Sequence, residues 1–202
     1  MNYAIEFHDA NYPFLNVAAR KKALKHTLLL VVEGLAIIKL GKQEYAIEPG
    51  QYFWIPQGCL SSLTFLPNTR TTRCDFSVRL NDEFAQQAGF VKPSALLKAL
   101  MDKLVTTEPR SEKQLDLLTV AKYEVLELKP KLTGSHLTSL INQWKPGCES
   151  PISIELCLVL TLREARKMKL SGKKQMDIVE RLFAGNEEEY EQLCFLVFGE
   201  AL

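Results

Sequence analysis

The sequence predicts an α+β protein, with an antiparallel β-barrel at the N-terminus followed by an all-α C-terminal region. Three observations predict it. Up to Leu80 the chain is a succession of short β-type runs broken by Gly, Pro and Asn. Beyond Leu80 the apolar residues take up helical spacing in a background rich in Leu, Lys and Glu. The 202 residues, 47% of them hydrophobic, are enough for one good domain and a smaller helical one.

The expected strands are Tyr3–Phe7, Thr27–Val32, Leu35–Leu40, Tyr45–Ile47, Tyr52–Ile55, Ser62–Phe65 and Thr71–Val78. They are separated by Gly34, Gly41-Lys42, Pro49-Gly50, Pro56-Gln57-Gly58 and Pro67-Asn68. Proline presets φ, glycine accepts a positive φ and asparagine bonds its own backbone, so these are turn residues for physical reasons. Short strands at such close intervals build a sandwich or a barrel of hairpins.

Beyond them, Leu97, Leu100, Met101 and Leu104 share one helical face, and Pro93 suits the start of that helix. In Ser111–Leu128 the stripe Leu118, Ala121, Val125 and Leu128 is widened by Leu115, Leu117 and Val120. So broad a face implies packing on the barrel on one side and on a second subunit on the other, or else complete burial within one chain. In Ile152–Leu162 every second residue is Ile or Leu, as in a strand. The following Arg163–Leu170 stretch forms helix by propensity, and a helix is predicted from near Ser153. Lys173–Phe183 and Glu187–Phe198 complete the tail, broken at Ala184-Gly185-Asn186. The expected divisions are a barrel over 1–80, linker and dimerisation helices over 81–134 and a helical domain over 135–202.

Composition narrows the function. Lys plus Arg total 25 and Asp plus Glu 24. A dedicated nucleic-acid binder carries excess positive charge, so any DNA-binding patch must be local. No apolar run is long enough to span a bilayer, and the N-terminus lacks the pattern of a secretion signal. The cysteines (Cys59, Cys74, Cys148, Cys157, Cys194) are odd in number and scattered, as free thiols in a reducing cytoplasm are.

The segments His26–Gly34 and Gly41–Gly58, with their Glu33-Gly34 hairpin, Pro49-Gly50-Gln51 turn and Ile55-Pro56-Gln57-Gly58 turn, resemble the cupin barrel. They look especially like the sensor domain of AraC-type transcriptional regulators, over roughly residues 5–80. The two helices after the barrel resemble that family's linker and dimer helices. In the tail, Thr161–Arg166, Ile178-Val179, Leu182, Tyr190 and Phe198-Gly199 are similar to the family's second helix-turn-helix. The family carries two such units. Here the region reads as a single, truncated or degenerate one, with Phe183-Ala184 in place of the family's glycine-aromatic pair.

Metal-binding cupins have two histidines and a carboxylate before the first hairpin and a third histidine after the Pro-x-Gly turn. A catalytic metal needs about three fixed ligands and an open position. The corresponding positions here are Lys21 or Lys22, Ala23, Thr27 and Ser61, which are poor ligands, and the three histidines (His8, His26, His136) lie far apart in sequence. No metal and no cofactor is expected. Cys59 follows Gly58 at a turn, but nothing marks His26 as its base, and no phosphate loop or serine elbow is present, so no enzyme is expected.

A small barrel is either filled by side chains or holds one small ligand. The candidates for a lining are Phe14, His26, Leu28, Phe53, Trp54 and Phe76, with Arg73 as polar anchor. An interior Arg would favour a carboxylate-bearing effector. In the tail, Arg163, Arg166, Lys167, Lys169, Lys173 and Lys174 are candidates for phosphate contact, or else a solvated face. The second helix of the unit opens with Glu187, Glu188 and Glu189, followed by Glu191, which suits its dipole and repels phosphate. Three functions stay open: a homodimeric, small-molecule-sensing regulator with weak DNA contact or a partner regulator, a non-DNA-binding interaction module that modulates another regulator, and, ranked last, a cupin enzyme using an atypical metal site. Each would be cytoplasmic and would not engage a membrane.

Overall fold

The computed structural model describes residues 4–147 and 151–200. Tyr3 and Cys148, both named above, lie outside the described residues. Ten strands come first: β1 (Ile5–Tyr12), β2 (Asn16–Val17), β3 (Lys21–Lys22), β4 (His26–Glu33), β5 (Ala36–Leu40), β6 (Gln43–Ile47), β7 (Tyr52–Ile55), β8 (Leu60–Phe65), β9 (Thr69–Phe76) and β10 (Gly89–Val91). One sheet runs β1-β9-β4-β7-β10. The other runs β2-β8-β5-β6, with β3 also paired to β8. All of these pairings are antiparallel. The fold class is the α+β one expected, a cupin-like barrel followed by helices.

The two sheets face each other across a filled interior. Leu29, Val31 and Phe53 from the first sheet meet Ala36, Ile38, Ile47 and Phe65 from the second. The β4–β5 hairpin needs glycine at position 34, where φ is +78° and an added Cβ would sit 2.7 Å from the Thr69 Cα. The first sheet is wider than the sequence reading allowed. β10 pairs with β7, and Phe90 exchanges backbone hydrogen bonds with Lys131 at 2.8 and 2.9 Å.

Helices α1 (Ala95–Val105) and α2 (Glu112–Leu126) begin at Ser94 and Ser111, whose side chains accept from Leu97 N–H and Gln114 N–H. They cover the outer face of the first sheet. Leu97, Met101, Leu104, Leu118, Ala121 and Val125 pack there on Leu28, Trp54, Cys74 and Phe76. This corrects the dimer-helix expectation. Leu118, Ala121 and Val125 are fully buried inside their own chain, and Leu128 packs against the same cluster. The outward apolar residues of α2 are instead Leu115, Val120 and Tyr123, which are 38%, 42% and 59% exposed.

The remaining helices are α3 (His136–Gln143), α4 (Ile154–Leu170), α5 (Gln175–Phe183) and α6 (Glu187–Phe198). Leu156, Leu160 and Leu162 of α4, with Val197 and Phe198 of α6, share one core with Ile37 and Ala46 on the outer face of the second sheet. Ser153 caps α4 by accepting from Leu156 N–H, so the stretch that alternates like a strand is helical. α3 is tied directly to β6. Ala46 N–H donates to Thr138 Oγ1 at 3.0 Å, Glu44 N–H donates to Asn142 Oδ1 at 2.9 Å, and Asn142 Nδ2 donates back to the Glu44 carbonyl at 2.7 Å. The protein is therefore two facing sheets with helices on both outer faces.

Candidate functional site

The interior-lining set expected from sequence is divided by the structure. Phe53 alone of the aromatic candidates lies between the sheets, in edge-to-face contact with Phe90 at 4.9 Å. Leu28, Trp54 and Phe76 belong to the opposite face, beneath α1 and α2. His26 stacks there on Trp54 at 5.6 Å and packs on Phe84 at 4.8 Å. Trp54 Nε1–H donates to the Ala85 carbonyl at 2.8 Å, which satisfies its one polar atom. His26 Nδ1 accepts from Gln57 N–H at 3.2 Å, and burial lowers the pKa of the ring. Phe14 is in neither place. It is 45% exposed in the loop after β1 and lies beside Gly199 of the tail. Strand alternation separates two faces but cannot say which is inside when both are covered.

Arg73 does share the interior side, directly opposite Leu29 and His8. It belongs to a polar cluster at one end of the barrel that sequence reasoning missed. Thr27 Oγ1 donates to Asp75 Oδ1 at 2.7 Å, Arg73 Nε is 3.3 Å from Asp75 Oδ2, and His8 Nε2 is 3.4 Å from the same oxygen. Lys25 donates to Glu6, and that hydrogen bond holds the Glu6 carboxyl below its usual range. Glu6, His8 and Asp75 bring ligand-type atoms within 4.8 Å of one another. His8 is thus beside two carboxylates, Glu6 two residues away on the same strand and Asp75 across the sheet. Two cations already occupy the cluster, so an ion would have to compete with Lys25 and Arg73 for the same oxygens. The positions the resemblance assigns to metal, Lys21, Lys22, Ala23, Thr27 and Ser61, remain poor ligands. Cys59 is half-buried and burial pushes its thiol up, away from the nucleophilic thiolate.

The basic side chains of the tail also go elsewhere than expected. Arg163 Nη2 bonds Glu44 Oε2 of β6 at 2.8 Å. Arg166 lies 5.6 Å over the Phe198 ring, and Lys167 bonds Glu164 at 3.1 Å. Arg163, Arg166 and Lys167 line a crevice against the second sheet; Arg163 is tied to the barrel there, whereas the Lys167 side chain is 75% exposed. Lys169, Lys173 and Lys174 stay exposed around the α4–α5 turn. α6, the helix that the resemblance implies would read DNA, exposes Glu187, Glu188, Glu189 and Glu191 together with Phe195 and Leu196.

A further candidate site lies where barrel and tail meet. It is a groove of about 860 Å³ between the hairpin turns at the other end of the barrel and helices α3, α4 and α6. Leu35 and Leu66 form its barrel wall, and Leu140, Leu156 and Val159 its helical wall. Its size is that of a small-molecule pocket, and its lining is mainly apolar as such pockets are. Its described charged lining residues are Glu48 and Glu155. None of these residues was singled out from sequence. The turn residues Gly34, Pro49 and Pro67 were read as punctuation, and nothing local shows that helices distant in sequence close over them.

No family model matches the sequence, and no curated protein matches it. Among solved structures, the chain is similar to ToxT from Vibrio cholerae at 10% identity, covering 99% of this chain and 96% of that one with a TM-score of 0.47. A second ToxT crystal form gives 11% identity, 97% and 96% coverage and a TM-score of 0.39. A cupin superfamily protein from Desulfitobacterium hafniense is similar over 38% of this chain and 71% of its own, at 12% identity and a TM-score of 0.35. No described helix is long and apolar enough to cross a membrane.

Proposed function

We propose that this protein is a regulatory protein of AraC-like build that binds a small molecule in the groove between barrel and tail. The observation that carries the reading is that the groove is lined by both halves, the β-turns on one side and α3, α4 and α6 on the other. An occupant there touches sensor and tail at once, so its binding energy acts on how the two are held. The effector site is then this groove rather than the barrel interior, whose centre is filled by Leu29, Ile38, Phe53 and Phe65.

The output favoured by the tail is contact with a partner regulator. α6 offers carboxylates and two exposed apolar side chains where a DNA reader offers donors and cations. A second reading, weak phosphate contact, is supported by the exposed Lys169, Lys173 and Lys174, which have no ion pair among the described residues. A homodimer joined through the outward face of α2 (Leu115, Val120, Tyr123) belongs to the same proposal.

A gel-shift titration at low salt, run beside affinity capture of a purified full-length AraC-type regulator, tests the output. The expected result is capture of the regulator by the wild type, lost in Phe195→Glu, with no shift of DNA. A salt-dependent DNA shift that disappears on replacing Lys173 and Lys174 by Glu would establish the phosphate reading in its place.

A further inference from the structure

The groove's charge says what kind of molecule it takes. We propose that it receives an apolar amine: a ligand with an extended hydrocarbon body and one protonated nitrogen. The inference rests on the groove being a ligand site, as argued above, and adds the chemistry of its occupant.

The walls supply the apolar part. Leu35 and Leu66 from the barrel face Leu140, Leu156 and Val159 from the helices, so a hydrocarbon chain lying between them leaves water on both sides. The polar part is set by Glu48 and Glu155, and no Lys, Arg or His is among the described lining residues. Neither carboxylate has an ion pair or a side-chain hydrogen bond among the described residues. The hydrogen bonds at Glu48 are made by its backbone, whose N–H donates to Gln51 Oε1 at 2.9 Å and whose carbonyl accepts from Gln51 N–H at 3.0 Å. Glu155 sits in the first turn of α4, where the helix dipole already stabilises a negative charge. The positive end of that helix is further answered by the Ser153 cap, which leaves Glu48 as the charge without a counterpart.

An apolar cleft whose described charges are both negative, Glu48 half-buried and Glu155 exposed, discriminates mainly through Glu48. A carboxylate or phosphate entering it would lose hydration and meet like charge, whereas an ammonium loses hydration and gains an ion pair. This is the reverse of the carboxylate-bearing effector that an Arg73 anchor implies. Arg73 lies among the polar groups at one end of the barrel and is not part of this lining.

The test uses the full chain and three probes with the same hydrocarbon, dodecylamine, dodecanol and dodecanoate, each titrated calorimetrically below its micellar concentration. The amine is expected to bind about tenfold more tightly than the alcohol, the worth of one partly desolvated ion pair, and the carboxylate most weakly. Glu48→Gln should bring the amine down to the alcohol while leaving the alcohol unchanged. Glu155→Gln, checked like the first variant for an unaltered thermal midpoint, should have a smaller effect. Equal or tighter binding of the carboxylate, or an amine affinity indifferent to Glu48→Gln, overturns the charge inference and leaves the groove standing as a site. Failure of all three probes to bind removes the groove itself and, with it, the sensing half of the proposed function.

Discussion

At the scale of single residues, His26 shows how burial sets a chemical state. It is 7% exposed, packed on Trp54 and Phe84, and its Nδ1 accepts from Gln57 N–H, which needs the unprotonated nitrogen. Its pKa is lowered by burial, so near its ordinary value of about 6.5 the unfolded chain takes up a proton that the folded chain refuses. Stability is therefore full above that value and falls as the pH drops through it, until the folded-state pKa is reached. Thermal midpoints measured from pH 8 to pH 5 should decline faster for the wild type than for His26→Asn, and parallel curves would show that His26 contributes nothing. The same residue shows what sequence could and could not supply. The strand was legible from Thr27–Val32, and His26 joins its start, but the face of His26 was not legible. Leu28, Leu29, Leu30 and Val31 are all buried, so alternation carries no mark of inside and outside. Phe84, which completes its aromatic surroundings, lies in a segment with no periodicity to single it out.

Among the elements, α2 separates two roles that its sequence merges. The apolar positions in Ser111–Leu128 allow either a helix packed on two surfaces or one buried within the chain, and only the position of the first sheet decides which of them face inward. Leu118→Ala removes side-chain volume from a core shared with α1 and β9 and should cost about 2–5 kcal/mol in a denaturant titration. Val120→Glu and Tyr123→Glu lie on the outward face and should leave that titration unchanged. If α2 is the subunit contact, the same two variants turn the sedimentation profile from dimer to monomer. A wild-type profile that is already monomeric, or one untouched by both variants, removes α2 from the interface. Several other elements were legible to within a few residues, although β1 runs on to Tyr12, past the expected end at Phe7. α6 spans the residues expected for it, and α4 starts next to Ser153, where a helix was predicted to begin. β2, β3, β10 and α3 were not foreseen, because strands of two or three residues and a helix of eight carry too little pattern to stand out against a polar background.

Over the whole molecule, what matters is how firmly barrel and tail are joined. Arg163 and Glu44 form an ion pair between α4 and β6 whose side chains are 19% and 16% exposed. A double-mutant cycle on Arg163→Ala and Glu44→Gln should give a coupling of about 2 kcal/mol, the range of a hydrogen bond between charged groups shielded from solvent. A coupling near zero would mean that apolar packing alone holds the tail. The junction was the least legible part of the sequence. Each half shows its own periodicity, but the surface between them depends on residues about a hundred positions apart, such as Glu44 and Asn142.

That last pair has a consequence beyond holding the tail. β6 ends its sheet, and a terminal strand with unpaired N–H and C=O groups invites a strand from another molecule to zip onto it. The Asn142 amide gives Glu44 the donor and acceptor that a neighbouring strand would have given, and the Thr138 hydroxyl does the same for Ala46 N–H. Two side chains of one short helix thereby blunt the barrel's open flank, and the protein is guarded at that flank against polymerising through its own backbone.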